Sequence, residues 1–513
     1  MPNLNYTVEV DWDNDGTFDG VGDVGEDVTS RVLRLEWKRG KDRPHYLVGE
    51  ARPGMARIVL NNDSGDYSPR NSSSPLSGNL KAGRPVRIRS NNGGADATRW
   101  QGFLQDIVPQ SSVGRVSTVT LVCTGPLGFI AGREVEVAMQ TSYRTDQAIT
   151  ALLDEIGWPA GDRDLDTGLT TMTRWWVDRM DVLQALRIIE ETELGLFYET
   201  KDGKIAFRNR DNRLSNRTSQ ATFSDASGAA LTYQACREAD PVRSVYNIFE
   251  NEVQLFTVGS LLDPIWSYPE TTAPYLAPGE SRTFWARYPV HDSPREDVGV
   301  DAWTTPAENT DYDANSLEGG GGTDLSSSIG VAVSKFGESM KITLTNNHAT
   351  LPAYLVDSGG SIVLQARGTP VSGSDPIPIR EEDSTSQTTH GQRTWQSRDT
   401  FVPSTAEAIS WGKVGLDLYK DPTPEIGITV AGNRTSATLD EVQDRDLDDR
   451  ITVKADGNAG LGFDQDWFIE GEHHVVNEKF EHRVAWDLSD ATPFDLYWKL
   501  GTSALGTNTK PAY

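Results

Sequence analysis

A chain of 513 residues with 75 acidic against 48 basic side chains, formally −27, is poorly suited to gripping nucleic acid, because counterion release from phosphates needs clustered Lys and Arg. Its 37% hydrophobic content, with 14 Trp, 15 Tyr and 15 Phe, argues against wholesale disorder and supplies cores for several domains at this length. The two cysteines, Cys123 and Cys236, lie inside apolar runs and read as buried core thiols rather than a disulfide framework. The N-terminal MPNLNYTVEV has neither a basic n-region nor an apolar h-region, and no apolar run approaches about 18 residues, so neither a signal peptide nor a membrane span is expected.

In chain order, alternating segments come first: NYTVEVDW (5–12), SRVLRLEW (30–37), ARIVLNN (56–62), PVRIRS (85–90) and VSTVTLVC (116–123), separated by turn clusters. That is the pattern of an antiparallel β domain. Between the third and fourth lies a long polar loop (61–79), which is a candidate contact element. From 143 the period becomes helical. YRTDQAITALLDEIGW places Ile149, Leu152, Leu153 and Ile156 on one face, and MDVLQALRIIEETELG repeats the design with Asp181 as N-cap. LFYETKDGKIAFRNR (196–210) then reads as a hairpin turned at Asp202-Gly203. Strands resume near 220. The Gly- and Ser-rich 309–328 reads as a flexible connection, the polar 372–398 as loop, and PSTAEAISWGKVGLDLYKDP (403–422) as a helix stopped by Pro422.

A soft internal repeat links the two β regions. RPVRIRS, WQGFLQDIV and VTLVCTGPLGF (84–129) are followed later by DRITVKA, WFIEGEHHV and RVAWDLSDATPF (449–494), in the same order and at similar separations. Upstream, ARIVLNN (56–62) is paired with MKITLTNN (340–347). Two copies of one β fold are too few for a solenoid. They suit an oligomer that presents twice as many equivalent surfaces as it has subunits. The expected fold class is mainly β with an α+β insertion: two antiparallel β-barrel or sandwich domains plus small α/β modules. The expected domains are 1–140, the first β domain; 141–215, the α+β insertion; 216–400, the start of the second β domain with an inserted β module; and 401–513, the helix and closing strands with a short tail.

Chemistry is scarce. DWDNDGTFDG (11–20) matches the first half of a calcium loop through Asp11, Asp13, Asp15, Gly16 and Asp19. Position 12 is Gly22, however, the nearest acids are Asp23 and Glu26, and the flanks are strands rather than helices. A solvated acidic turn is the favoured reading, with the four aspartates as candidate ligands of a structural Ca²⁺. Glu472, His473, His474 and Glu478 lack zinc-peptidase spacing, since adjacent strand residues face opposite sides. No GxSxG occurs, and GPLGF and GGGG lack the strand–glycine–helix setting of a phosphate loop. Trp175-Trp176 reads as core or interface before it reads as a sugar platform. Tyr67, Trp100 and Trp467 are candidate interface anchors.

The ordered motifs VEVDWDNDGTF…DVTSRVLRLEWKRGKDR (8–43), ARIVLNNDSGDYSP (56–69), WQGFLQDI (100–107), LVCTGPLGFI (121–130), LGLFYETKDGKIAFRNR (194–210), ADPVRSVYN (239–247) and WFIEGEHHVV…HRVAWDLS (467–489) resemble the tail hub proteins of long-tailed bacteriophages and tail-like particles. The resemblance implies a non-enzymatic homotrimer at the tail tip of a virion, assembled in the host cytoplasm. The resemblance also implies that both β domains are tube-like, so that six quasi-equivalent β domains would meet a sixfold tail tube and distal tail protein, with the tape-measure protein inside and receptor-binding or fibre proteins outside. DNA would be passing cargo only, and the acidity would keep the passage non-adhesive. No peptidase, lysozyme-like or fibre domain is expected after the last hub-like strands. The rival readings are a tail-associated wall- or polysaccharide-degrading hydrolase and a Ca²⁺-dependent carbohydrate-binding β protein.

Overall fold

The computed structural model describes residues 5–19, 25–41, 50–113, 115–239, 244–288, 297–397, 400–455, 457, 460–477, 479 and 481–497. Asp23, Glu478 and the tail from 498 lie outside the described residues.

The N-terminal strands are β1 (Asn5–Val10), β2 (Val32–Lys41), β3 (Ala51–Asn61), β4 (Pro85–Asn91), β5 (Ala97–Gln110) and β6 (Thr118–Thr124), followed by the short helix α1 (Pro126–Ile130). They lie in the order β1-β4-β5-β6-β3-β2, all antiparallel. The alternation seen in the sequence becomes alternate burial: Val86, Ile88, Ile58, Leu60, Leu121 and Cys123 face one core. The 61–79 loop is a staircase of tight turns. Amides of Gly65, Ser68, Asn71, Ser74 and Ser77 each bond to the carbonyl three residues back.

The insertion follows as β7 (Glu134–Arg144), α2 (Thr145–Glu155), β8 (Arg163–Leu165), β9 (Thr171–Asp181), α3 (Val182–Glu193), β10 (Leu196–Glu199) and β11 (Ile205–Arg208). Asp181 caps α3 by accepting from the amides of Leu183 and Gln184. β10 and β11 form the hairpin expected around Asp202-Gly203. The helical faces of α2 and α3 close on Trp175, Phe197 and Phe207.

Next come α4 (Asn212–Ser215), β12 (Thr222–Ser224) and β13 (Ala235–Ala239). A module then interrupts the chain with β14 (Ile248–Val253), β15 (Phe256–Val258), β16 (Leu262–Ser267), β17 (Tyr275–Leu276), β18 (Ser281–Arg287), β19 (Asp297–Trp303), β20 (Ile329–Lys335), β21 (Ser339–Asn346), β22 (Ala353–Tyr354), β23 (Gln365–Gly373), β24 (Ile377–Glu382), α5 (Ser384–His390) and β25 (Thr394–Ser397). Two sequence expectations fail here. The 372–398 stretch is not loop: β24 and β25 flank β14 on either side, with α5 between them capped by Asp383. The 309–328 connection is pinned rather than free. Asn315 accepts from the amides of Leu317 and Gly322, Ser316 accepts from Thr323, and Tyr312, Ala314 and Leu325 are buried. Side chains bonding their own backbone neighbours give polar sequence a fixed shape that hydrophobic periodicity does not register.

The chain closes with α6 (Thr405–Tyr419), capped by Ser404, then β26 (Glu425–Ala431), α7 (Ser436–Asp444), β27 (Arg450–Lys454), β28 (Asp464–Val476), β29 (His482–Asp490) and α8 (Thr492–Asp495). Their order, β27-β28-β29-β26-β13 with β12 beside β27, repeats β4-β5-β6-β3-β2 with β1 beside β4. The repeat extends to register. Phe103 opposes Pro85 as Phe468 opposes Arg450, and Asp106 opposes Val122 as Gly471 opposes Asp487, each counterpart 365 residues on. Even the irregularity recurs, a register shift at Leu104/Asp106 in β5 and at Ile469/Gly471 in β28. Three details differ from the sequence comparison. The counterpart of β3 is β26, not 340–347, which lies in β21 of the module. Trp100 opposes Ile88 whereas Trp467 opposes Ile451, so the two tryptophans share a face but sit two residues apart in the repeat. Finally, β12 runs parallel to β27 where β1 is antiparallel to β4.

The two units are joined edge to edge. β2 pairs with β28, from Leu35–Val476 to Gly40–Gly471, and fuses them into one twelve-stranded sheet. Among the described residues this sheet does not close into a barrel. No described helix is long and apolar enough to cross a membrane.

Candidate functional site

The seam between the units is where the chain concentrates its buried charge. At its end, Gly40 and Gly471 face one another. A Cβ on Gly40 would lie 2.7 Å from the Gly471 Cα, and φ there is +97°, so both space and backbone require glycine. Next to them, Arg39 donates to Glu472 at 2.9 Å, to Asp446 at 2.8 Å and to the Glu199 carbonyl at 2.7 Å. Arg213, from α4, donates to Asp448 and to Glu470, each at 2.6 Å, while Lys41 stands 3.9 Å from the other Glu470 oxygen. Burial works against ionising Glu470, but the Arg213 guanidinium and the Lys41 ammonium outweigh it and hold the carboxyl at about 2. Glu472 is likewise held low: Arg39 and His474 overcome its burial.

A second line of contacts runs along the seam. Trp37 stacks on His474 with centroids 4.7 Å apart and planes 6° apart. His474 Nδ1 lies 2.8 Å from His482 Nε2, and His482 Nδ1 lies 2.8 Å from the Tyr6 hydroxyl. Burial, then the neighbouring His474 and Arg99, push His482 well below its ordinary value, so it is neutral. His473, on the opposite face, is exposed and meets Glu36 at 3.0 Å, as the strand alternation requires. His482 joins through strand pairing across 8 residues, which no linear motif marks.

The insertion locks onto this seam from β10. Glu199 is fully buried, and its two oxygens accept from the amides of Gly54 at 2.8 Å and Leu127 at 2.7 Å. Burial raises its carboxyl to about 7 against those two bonds. A raised acid can signal catalysis. Here both oxygens are engaged by backbone of the first unit, so the group anchors the insertion. Beside the seam opens a cleft of about 640 Å³ lined by Lys38, Arg52, Met55, Gln105, His473 and Asp487.

The Asp-rich turn folds differently from the calcium-loop reading. Asp11 is buried and accepts from the amides of Asn14 at 2.5 Å and Gly16 at 3.1 Å; Asn14 and Gly16 take φ of 65° and 89°. Asp15 is turned back onto Thr17, and Asp19 is exposed and outside the cluster. The carboxylates that converge are those of Asp11, Asp13 and Glu26, with ligand oxygens within 4.8 Å of one another. Glu26 arrives on the returning segment, where its carbonyl accepts from the Val10 amide. Glu26 is thus brought to Asp11 and Asp13 by backbone pairing rather than by spacing within the loop. An all-carboxylate donor set is the hard oxygen environment that Ca²⁺ takes.

The expected interface anchors are core residues. Tyr67 is 5% exposed and packs against Trp12 at 6.0 Å, while Trp100 and Trp467 are fully buried, so none of them offers a side chain to a partner. Trp175 is buried against Tyr143, and Trp176 packs between Phe256 and Phe401. Cys123 is buried as expected, but Cys236 is half-buried on β13, and burial pushes its thiol up to about 11.

No family model matches the chain, and no curated protein does. Among solved structures, the fold is similar to that of a tail protein from Neisseria meningitidis MC58. The TM-score is 0.52 at 11% identity, over 96% of this chain and 100% of that one. Weaker likenesses are the prophage MuSo2 43 kDa tail protein of Shewanella oneidensis (TM-score 0.48, 10% identity, 96% and 99% covered) and prophage tail protein gp18 of Listeria monocytogenes (0.39, 7%, 94% and 94%). At such identities the likeness speaks for the fold alone.

Proposed function

We infer that the chain is the structural hub of a phage tail or tail-like particle. It forms a homotrimer whose six β units cap and continue a sixfold tail tube. The observation that carries this reading is the duplicated six-stranded unit, repeated strand for strand and fused edge to edge through β2 and β28. A chain built as two equivalent units adapts threefold to sixfold symmetry by being present three times. The Neisseria tail protein, similar in fold over its whole length, supports the same reading. In this role the chain meets the tube and distal tail protein on one side, the tape-measure protein inside and receptor-binding or fibre proteins outside, and lets DNA pass. It works by shape and carries no catalytic step. We also propose a structural Ca²⁺ on Asp11, Asp13 and Glu26, which would stiffen the β1 connection. The test of the role is immunogold labelling of particles with antibody to this chain: label confined to one tail end is expected, and label on heads, or none on particles, would overturn it.

A further inference from the structure

The two units are not equally satisfied. In the first, β2 has β3 on one side and β28 on the other; its counterpart in the second, β13, has β26 on one side and no strand on the other among the described residues. The receiving strand shows the complementary gap. One edge of β28 is paired with β27 from Asp464 to Phe468, then with β2 from Gly471 to Val476. The corresponding edge of β5 is paired with β4 as far as Phe103, Leu104 exchanges backbone bonds with Gly83 and Arg84, and no described strand continues beyond. Among the described residues one strand thus lacks a neighbour and one edge lacks a strand, and they correspond to the two sides of the junction that the chain makes within itself.

We propose that β13 of one chain adds to the Val108–Ser111 edge of β5 in a second copy of this chain, in the register of the internal junction. The inference deepens the hub reading and rests on it for the number of copies that close the ring. The register follows from the repeat: Cys236 opposes Ile428 as Leu35 opposes Ile58, and β5 trails β28 by 365 positions. Carried over, Cys236 meets Ser111, Arg237 meets Gln110, Glu238 meets Pro109 and Ala239 meets Val108. The surfaces are free to do so. Ala235, Arg237, Glu238 and Ala239 are exposed, and so are Val108 on β5 and Val113 and Val116 in the turn that follows it. An uncovered sheet edge is a template for pairing, and native proteins cover or blunt such edges. Pro109, standing where β28 has His474, brings no N–H; it shortens the ladder by up to one hydrogen bond and discourages pairing with arbitrary strands.

Directly opposed residues of an antiparallel pair have Cα atoms about 4.5–5.5 Å apart, within the reach of a disulfide. The full-length chain carrying Cys236→Ser, Arg237→Cys and Gln110→Cys is therefore oxidised as the assembled oligomer and run without reductant. A covalent species of three chains is expected, reversed by reductant and at least tenfold stronger than with Val113→Cys in place of Gln110→Cys. Rings visible by electron microscopy without the link overturn this contact and leave the hub reading standing. An open ladder running past three chains keeps the contact and overturns the trimeric hub. A monomer without the link overturns both. Should the triple variant not fold, hydrogen exchange on the unaltered protein reads the same surface. Of the amides of 236–239 and of 107, 108, 110 and 111, those that point away from β26 and β6 are expected to exchange at least tenfold more slowly in the oligomer than in diluted monomer, and equal rates at those positions overturn the contact.

Discussion

At the residue scale, Glu199 sets a dependence on pH whose sign is opposite to that of an ordinary paired acid. Its folded value, raised by burial to about 7, lies above the ordinary 4.5, so the folded chain holds a proton that the unfolded chain releases. The stability it contributes is fully present below about 4.5 and is lost as pH rises through about 7, a change of order 3 kcal/mol. Glu470, held at about 2, works the other way: its contribution is present above 4.5 and lost as pH falls towards 2. His482, held neutral by burial, adds the opposite slope below pH 6.5 to the natural chain and to Glu199→Gln alike, so the stability difference between the two in denaturant melts should fall as pH rises from 4.5 to 7.5; a difference that does not change with pH contradicts the assignment. The Asp-rich turn makes a separate prediction. Ca²⁺ at a hundred times its dissociation constant stabilises by about 2.7 kcal/mol, so Ca²⁺ should raise the Tm over EDTA in the natural chain and not in Glu26→Gln. Equal melts with and without Ca²⁺ would remove the ion. In the sequence, Asp11, Asp13, Asp15 and Asp19 formed the visible pattern, while Glu26 was only a nearby acid. Ligand spacing is a property of one loop, whereas Glu26 is brought in by the Val10–Glu26 backbone bond, which depends on strand pairing.

At the scale of elements, the internal seam depends on close approach of β2 and β28. Gly40→Ala places a Cβ against the Gly471 backbone at positive φ, which combines overpacking with backbone strain. It should destabilise by about 2–4 kcal/mol, measured by equilibrium unfolding; a loss under about 0.5 kcal/mol would mean that the seam is looser than described. The helices and hairpin of the insertion were legible because their signals are local: the apolar face of α2, the Asp181 cap of α3 and the Asp202-Gly203 turn. The repeat was legible in order but not in register. Aligning Trp100 with Trp467 was natural, yet the strands align with a displacement of two residues, a shift that leaves the buried face unchanged and so leaves no trace in the hydrophobic pattern. Strands such as β24 and β25 were missed because their residues are largely exposed and polar, held by pairing with β14 rather than by burial. The interface anchors were misplaced for a related reason. Large aromatics serve cores and interfaces alike, and only the fold shows that Tyr67, Trp100 and Trp467 are already enclosed.

At the scale of the whole molecule, one chain contains a seam made of β2 and β28, and among the described residues β13 and the far end of β5 each have an edge with no partner strand, which the proposed contact joins between copies. In the proposed assembly, further copies pair with the edges of the duplicated unit that have no partner strand among the described residues. The most direct test is the symmetry and stoichiometry of the purified chain at micromolar concentration, by mass photometry and cryo-electron microscopy. The account predicts a mass of three chains and averages with threefold symmetry that show six similar β units around one axis. A monomer, or a ring whose β units do not approximate sixfold symmetry, would contradict it.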